Sequence, residues 1–179
     1  MIDRAEVWSR LAGTWAGAGT GSYPEISTFR YLERLVITRE PDWKMLSVLQ
    51  RTWLDESGAP GKALHLESGI IQACDDESLV YSCAQDSGRT EVMRGIVTAA
   101  ESLLRIEWVT IAHSNDDRLL RMGRTWWLAA SSFRYEAYLA TVRTPEYRKH
   151  LEATMHRDGL SEPGIPPSPP LQPPGFDGG

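Results

Sequence analysis

The sequence predicts an all-β fold, a meander of about ten antiparallel strands, and three observations carry that reading. First, ten segments rich in strand-forming residues run about 13–22, 27–38, 43–54, 63–73, 78–84, 89–97, 103–112, 117–129, 132–142 and 150–157. Second, turn punctuation separates them: Tyr23-Pro24, Glu40-Pro41-Asp42, Ser57 to Gly61, Asp75 to Ser78, Asp86 to Gly88, His113 to Asp116 and Ala130 to Ser132. The connections are of hairpin length and include no crossover helix, so neighbours run antiparallel. Third, apolar and polar residues alternate. Phe29, Tyr31, Glu33, Leu35 and Ile37 fall on one face, while Thr28, Arg30, Leu32 and Arg34 face away.

Ten such strands either pack as two sheets or close on themselves, and closure removes the exposed edges. The first segment favours closure. Its odd positions are Gly13, Trp15, Gly17, Gly19, Gly21 and Tyr23, and its even positions (Thr14, Ala16, Ala18, Thr20, Ser22) are uniformly small. Glycine weakens a strand interior, so a row of glycines marks a bend in a curling sheet, or close approach of a flat ligand or another backbone. Neither phosphate-binding motif fits. A Walker loop ends in Gly-Lys-Ser/Thr, whereas Ser22 and Tyr23 follow Gly21, and Pro24 prevents the helix that a Rossmann fingerprint needs. A barrel of this strand number is wider than its own side chains fill, which leaves room for a ligand.

Ahead of the strands, residues 3–11 place Val7, Trp8 and Leu11 at helical spacing behind Asp3, a good N-cap, and predict a short helix over one end of the sheet. From Ser161 onward the chain holds seven of its eleven prolines. The expected organisation is one domain over 1–160 and a disordered Pro/Gly-rich tail over 161–179. The 179 residues, 41 % hydrophobic and 24 % charged, are ordinary for a globular protein, but seven tryptophans suggest aromatic walls around something. A net charge of −5 argues against nucleic acid or an anionic membrane as partner. No apolar run approaches the ~20 residues of a membrane helix, and the charged N-terminus does not resemble a signal peptide, so a cytoplasmic location is expected. Cys74 and Cys83 do not form a Cys-x-x-Cys pair and are expected to be two buried free thiols.

Few residues announce chemistry. The four histidines are His65 in a strand, His113 in a polar turn, and His150 and His156 flanking the last strand. None has zinc-site spacing, no Gly-x-Ser-x-Gly elbow anchors a hydrolase triad, and no two carboxylates stand out as a glycosidase pair. A lone histidine at a strand start is ordinarily a structural or surface group.

Several motifs together are more specific. Gly13-Thr-Trp15-Ala-Gly17-Ala-Gly19-Thr-Gly21-Ser-Tyr23-Pro24, with Ile26, Phe29, Tyr31 and Glu33 behind it, resembles the opening of the nitrobindin family. So do His65-Leu-Glu67-Ser-Gly69, the stretch Ala84 to Gly95, and the C-terminal run from Tyr138 through Thr144-Pro145 to His150-Leu151-Glu-Ala153. The resemblance spans residues 8–157. It implies a ten-stranded up-and-down barrel, similar to fatty-acid-binding proteins and lipocalins, holding one haem b in a cleft at its mouth. His150 carries over as the axial iron ligand, and a single imidazole leaves the sixth position open for small molecules. The implied activity is isomerisation of peroxynitrite to nitrate at ferric haem, with nitric oxide as a further ligand. Plausible walls are Ile26, Phe29, Tyr31, Met122 and Trp126. Arg124 either neutralises a haem propionate or is a solvated barrel arginine.

The chain departs from the family at Glu25, where threonine is usual; a carboxylate there repels an anionic substrate or points to solvent. Gln72 stands where arginine is frequent. Two rival readings remain: a non-enzymatic carrier of an apolar molecule, and a nitric oxide sensor or store without turnover. The oligomeric state, a homodimer included, stays open.

Overall fold

The computed structural model describes residues 4–24, 26–40, 42–100 and 102–157. One helix, α1 (Arg4–Leu11), precedes ten strands: β1 (Gly13–Tyr23), β2 (Ile26–Glu40), β3 (Met45–Glu56), β4 (Ala59–Ala73), β5 (Leu79–Gln85), β6 (Thr90–Ala100), β7 (Leu103–Ser114), β8 (Leu119–Leu128), β9 (Ser132–Thr141) and β10 (Arg148–Arg157). Each expected strand is present, and each pairs antiparallel with its sequence neighbours. The meander closes because β1 also pairs with β10, from Trp15 opposite Arg157 to Gly21 opposite Leu151. Asp3, Glu25 and the stretch 161–179 lie outside the described residues. Among the described residues no helix is long and apolar enough to cross a membrane.

The glycine row belongs to this closing seam. Side chains of odd-numbered β1 residues turn inward, and Trp15 there is fully buried. A Cβ on Gly17 would overlap the Thr154 carbonyl of β10; one on Gly21 would overlap the Phe29 ring of β2. The close approach is therefore by backbone and aromatic rings of neighbouring strands, and glycine is needed for the seam to shut.

An eight-residue helix is marginal alone, so α1 depends on what it covers. Val7, Trp8 and Leu11 are buried against the barrel end, and the Trp15 indole N–H donates to the Leu11 carbonyl at 3.0 Å. Arg157, at the end of β10, donates to the carbonyls of Arg10 at 2.8 Å and Ala12 at 2.7 Å. A guanidinium thus satisfies carbonyls that a helix C-terminus leaves without intrahelical partners.

Above the helix, Trp15, Phe133, Trp126, Trp108 and Tyr81 stack in a chain of ring contacts with centroids 5.1–5.8 Å apart. With Leu46, Ile71, Met93, Ile106, Leu128 and Met155 they fill the closed end. This corrects the expectation for the tryptophans: they chiefly plug the barrel's foot, and Trp43 is 69 % exposed. The cysteine reading is also corrected, since Cys83 is buried but Cys74 only half-buried; both are free. Burial pushes the Cys83 thiol up to about 12, which keeps it protonated and unreactive.

Gly17→Ala should cost about 1–3 kcal/mol, because the obstructing group is backbone and cannot swing aside. Urea unfolding followed by tryptophan fluorescence measures it, and an unchanged midpoint would contradict this account of the seam.

Candidate functional site

At the end opposite α1 the barrel opens on a cavity of about 620 Å³. Its walls include Tyr23 of β1, Phe29, Tyr31 and Leu35 of β2, Val48 of β3, Leu64 and His65 of β4, Met122 and Trp126 of β8, Leu139 of β9, and His150 and Leu151 of β10. Polar groups form the deeper part: Glu33, Gln50, Thr52, Tyr81, Gln85, Arg124 and Tyr135.

His150 sits on a local irregularity. Met155, Ala153 and Leu151 follow the inward parity of β10, and continued alternation would next bring Lys149 inside. Instead the pairing of β10 with β9 shifts between Lys149 and Leu151, so His150 is the extra residue of a bulge. The bulge turns its ring inward, 4 % exposed. The ring stacks on Tyr23 with centroids 4.8 Å apart and planes 18° apart. Nδ1 lies 2.8 Å from the Ser22 carbonyl oxygen. A carbonyl only accepts, so Nδ1 carries the hydrogen and donates it. Nε2 is buried and has no hydrogen-bond partner. A buried polar atom without a partner is unusual, and in a neutral ring with Nδ1–H this nitrogen holds a free lone pair. With Nδ1 fixed by a backbone carbonyl, the ring is held in one tautomer and Nε2 is left available to accept from a ligand. Among the described residues no cluster of three or more His, Cys, Asp or Glu can hold a bare metal ion.

Of the residues expected at the site, His150, Ile26, Phe29, Tyr31, Met122, Arg124 and Trp126 all line the one cavity. Ile26 is at the rim, 61 % exposed, and Glu25 lies outside the described residues. Arg124 is corrected in one respect: it is not solvated. It is buried, and its two terminal nitrogens each donate to Glu67, at 2.6 Å and 2.6 Å. Both are therefore engaged within the protein. Burial by itself would raise the Glu67 carboxyl, but the Arg124 charge and its hydrogen bonds outweigh this and hold it well below the usual carboxylate range. Tyr81 and Gln85 also donate to Glu67, at 2.8 Å and 3.0 Å.

The sequence reading missed His65, Glu33, Gln50 and Tyr135 as cavity groups. His65 faces Asp86 at 3.3 Å and Glu67 at 3.9 Å. Glu33 accepts from Gln50 Nε2 at 2.6 Å and from the Tyr135 hydroxyl at 2.8 Å. Burial raises its carboxyl to about 7, although those two hydrogen bonds pull the other way. The available signal was Glu33 itself, a carboxylate placed by alternation among inward-facing aromatics.

Fold and site together define a small-molecule-binding barrel with one buried, unpartnered imidazole nitrogen in its cavity. Residues 5–157 match the family model described as the THAP4-like, heme-binding β-barrel domain, and the chain belongs to that family. It is 30 % identical over 149 residues to "Peroxynitrite isomerase Rv2717c" of Arabidopsis thaliana, covering 83 % of this chain and 86 % of that one. It is 31 % identical over 153 residues to the peroxynitrite isomerase of Nocardia farcinica, covering 83 % and 87 %. The crystal structure of Rv2717c from M. tuberculosis superposes with a TM-score of 0.77 at 28 % identity, covering 88 % of this chain and 99 % of that one.

Two consequences of the buried charges are measurable. Glu67→Gln leaves the Arg124 guanidinium buried without its counter-ion and should destabilise the barrel by about 3–5 kcal/mol in denaturant unfolding. Glu33 titrates in the folded state near 7 and in the unfolded chain near its ordinary value of 4.5. Between those values the native state keeps a proton that the unfolded state has lost. Stability therefore falls as pH rises through this window, by on the order of 3 kcal/mol, and levels off above it. Glu33→Gln should flatten that slope when melting temperature is followed against pH.

Proposed function

We propose that the cavity holds one haem b per chain, bound through Nε2 of His150, and that the ferric protein isomerises peroxynitrite to nitrate and binds nitric oxide. The observation that carries this reading is the orphaned Nε2, buried in a largely apolar cavity while Nδ1 is tied to the Ser22 carbonyl. The names of the relatives, which are peroxynitrite isomerases, support it. When bound, ferric haem supplies an open coordination site that acts as a Lewis acid on a peroxynitrite oxygen.

The chain's own residues do the rest. The Ser22 carbonyl and the Tyr23 ring hold the His150 imidazole in one orientation, so little rotational freedom is lost on ligation. Phe29, Tyr31, Met122 and Trp126 are the apolar walls against a flat macrocycle. Lys62, which also lines the cavity, gives an anion a cationic side chain to approach, whereas Arg89 is held by Glu91. Isomerisation of peroxynitrite consumes no net proton, so no general acid is required of the protein. Arg124 is tied to Glu67 through both terminal nitrogens, and its Nε–H is the donor left without a protein partner.

Hemin added to the purified protein should produce a Soret band. His150→Gly should lose it, and exogenous imidazole should restore it in the variant. A band of unchanged shape and intensity in His150→Gly would overturn the ligand assignment. Stopped-flow decay of peroxynitrite, faster with ferric wild type than with free buffer, tests turnover. Absence of haem beside a co-purified lipid would instead favour an apolar carrier.

A further inference from the structure

Among the described residues three carboxyl groups are buried in the barrel: Glu33, Glu67 and Glu91, each 1 % exposed or less. Two are matched by arginines. Glu67 holds Arg124, and Glu91 holds Arg89 at 2.8 Å. Both hydrogen bonds to Glu33, in contrast, come from neutral donors, Gln50 and Tyr135.

The titratable groups that face Glu33 leave it no charge of its own. Tyr31 comes from its own strand, His65 from β4, Arg124 from β8 and Tyr135 from β9. Arg124 is bound to Glu67, and His65 leans toward Glu67 and Asp86. The three carboxyls and two guanidiniums balance when Glu33 holds a proton. The interior carries one extra negative charge when it does not.

Hydrogen bonding permits both states. Tyr135 and Tyr31 oxygens are 2.8 Å apart, and the Tyr31 hydroxyl reaches the Glu152 carbonyl at 3.2 Å. With Glu33 protonated, hydroxyl hydrogens run from Glu33 to Tyr135, then to Tyr31, then to that carbonyl. With Glu33 ionised, Tyr135 turns its hydrogen back to the carboxylate, while Tyr31 still donates to the carbonyl. Neither state strands a buried donor. Burial places the change of state near neutrality.

We propose that Glu33 determines which small ligands the cavity accepts: protonated, it leaves the floor neutral and open to small anions, and ionised, it repels them while sparing uncharged ligands. For ligands at an iron, this rests on the haem reading above; for the cavity itself, it does not.

Two pairs of probes separate the cases. In hemin-loaded protein, azide affinity should fall as pH rises through about 7, with a step in wild type that Glu33→Gln lacks. The step should be roughly tenfold, the scale of one unit charge acting across a protein interior. Nitric oxide binding should show no such step in either protein. In hemin-free protein, the anionic dye anilinonaphthalenesulfonate should show the same step, and neutral N-phenylnaphthylamine should not. Failure of hemin to bind would sink the haem reading, while the dye pair would still decide the role of Glu33. Coincident anionic-probe profiles in wild type and Glu33→Gln would overturn the proposal. Tyr135→Phe removes a hydrogen bond that favours the ionised carboxylate, so its step should move to higher pH. An unmoved step in that variant also overturns the proposal.

Discussion

The hydrogen bond between His150 Nδ1 and the Ser22 carbonyl is the constraint on which the rest of the site depends. It crosses the seam where the last strand meets the first, so it exists only once the barrel is shut. The seam shuts because β1 lacks side chains at Gly17, Gly19 and Gly21, where the backbone of β10 and the rings of Phe29 and Tyr31 need the space. Closure, ring orientation and the unpartnered lone pair of Nε2 are thus one structural event.

Along its axis the barrel has three layers of different character. The foot is an aromatic plug sealed by α1 and by Arg157. Above it lies a layer of buried carboxyls, guanidiniums and phenols, and above that the apolar mouth with His150. Tyr81 joins the first two layers, since its ring packs on Trp108 and Trp126 while its hydroxyl donates to Glu67. Such a polar layer is expensive to bury unless its groups are paired and bonded, and Glu67 meets that condition with four donor groups. Glu33 meets it only in part, having bonds without a counter-ion. The layer therefore stabilises the fold unevenly and leaves one carboxyl able to exchange its proton.

The family match follows the whole run of strands, whereas the unpartnered nitrogen is a property of one ring in its surroundings. Arg124 is where a reading by position alone misleads. Its strand face was read correctly, but the guanidinium lies against a buried carboxylate and not in solvent.

What the sequence determined by itself was everything with a short period. Alternation and turn residues located ten strands, the spacing of Val7, Trp8 and Leu11 located the helix, and the glycine row pointed to a tightly closed first strand. These are local signals, because backbone geometry alone sets the period of a strand or helix. Tertiary structure decided which chemistry those strands enclose. By alternation His150 and Leu151 belong on opposite faces, and only the bulge against β9 brings both into the cavity. Glu67 and Arg124 are 57 residues apart, and nothing in either neighbourhood announces the other. The lone carboxyl of Glu33 is uncompensated only because the nearby arginine is already taken. Pairing of charges in a barrel interior depends on which strands face each other across it, a distance that no sequence period encodes.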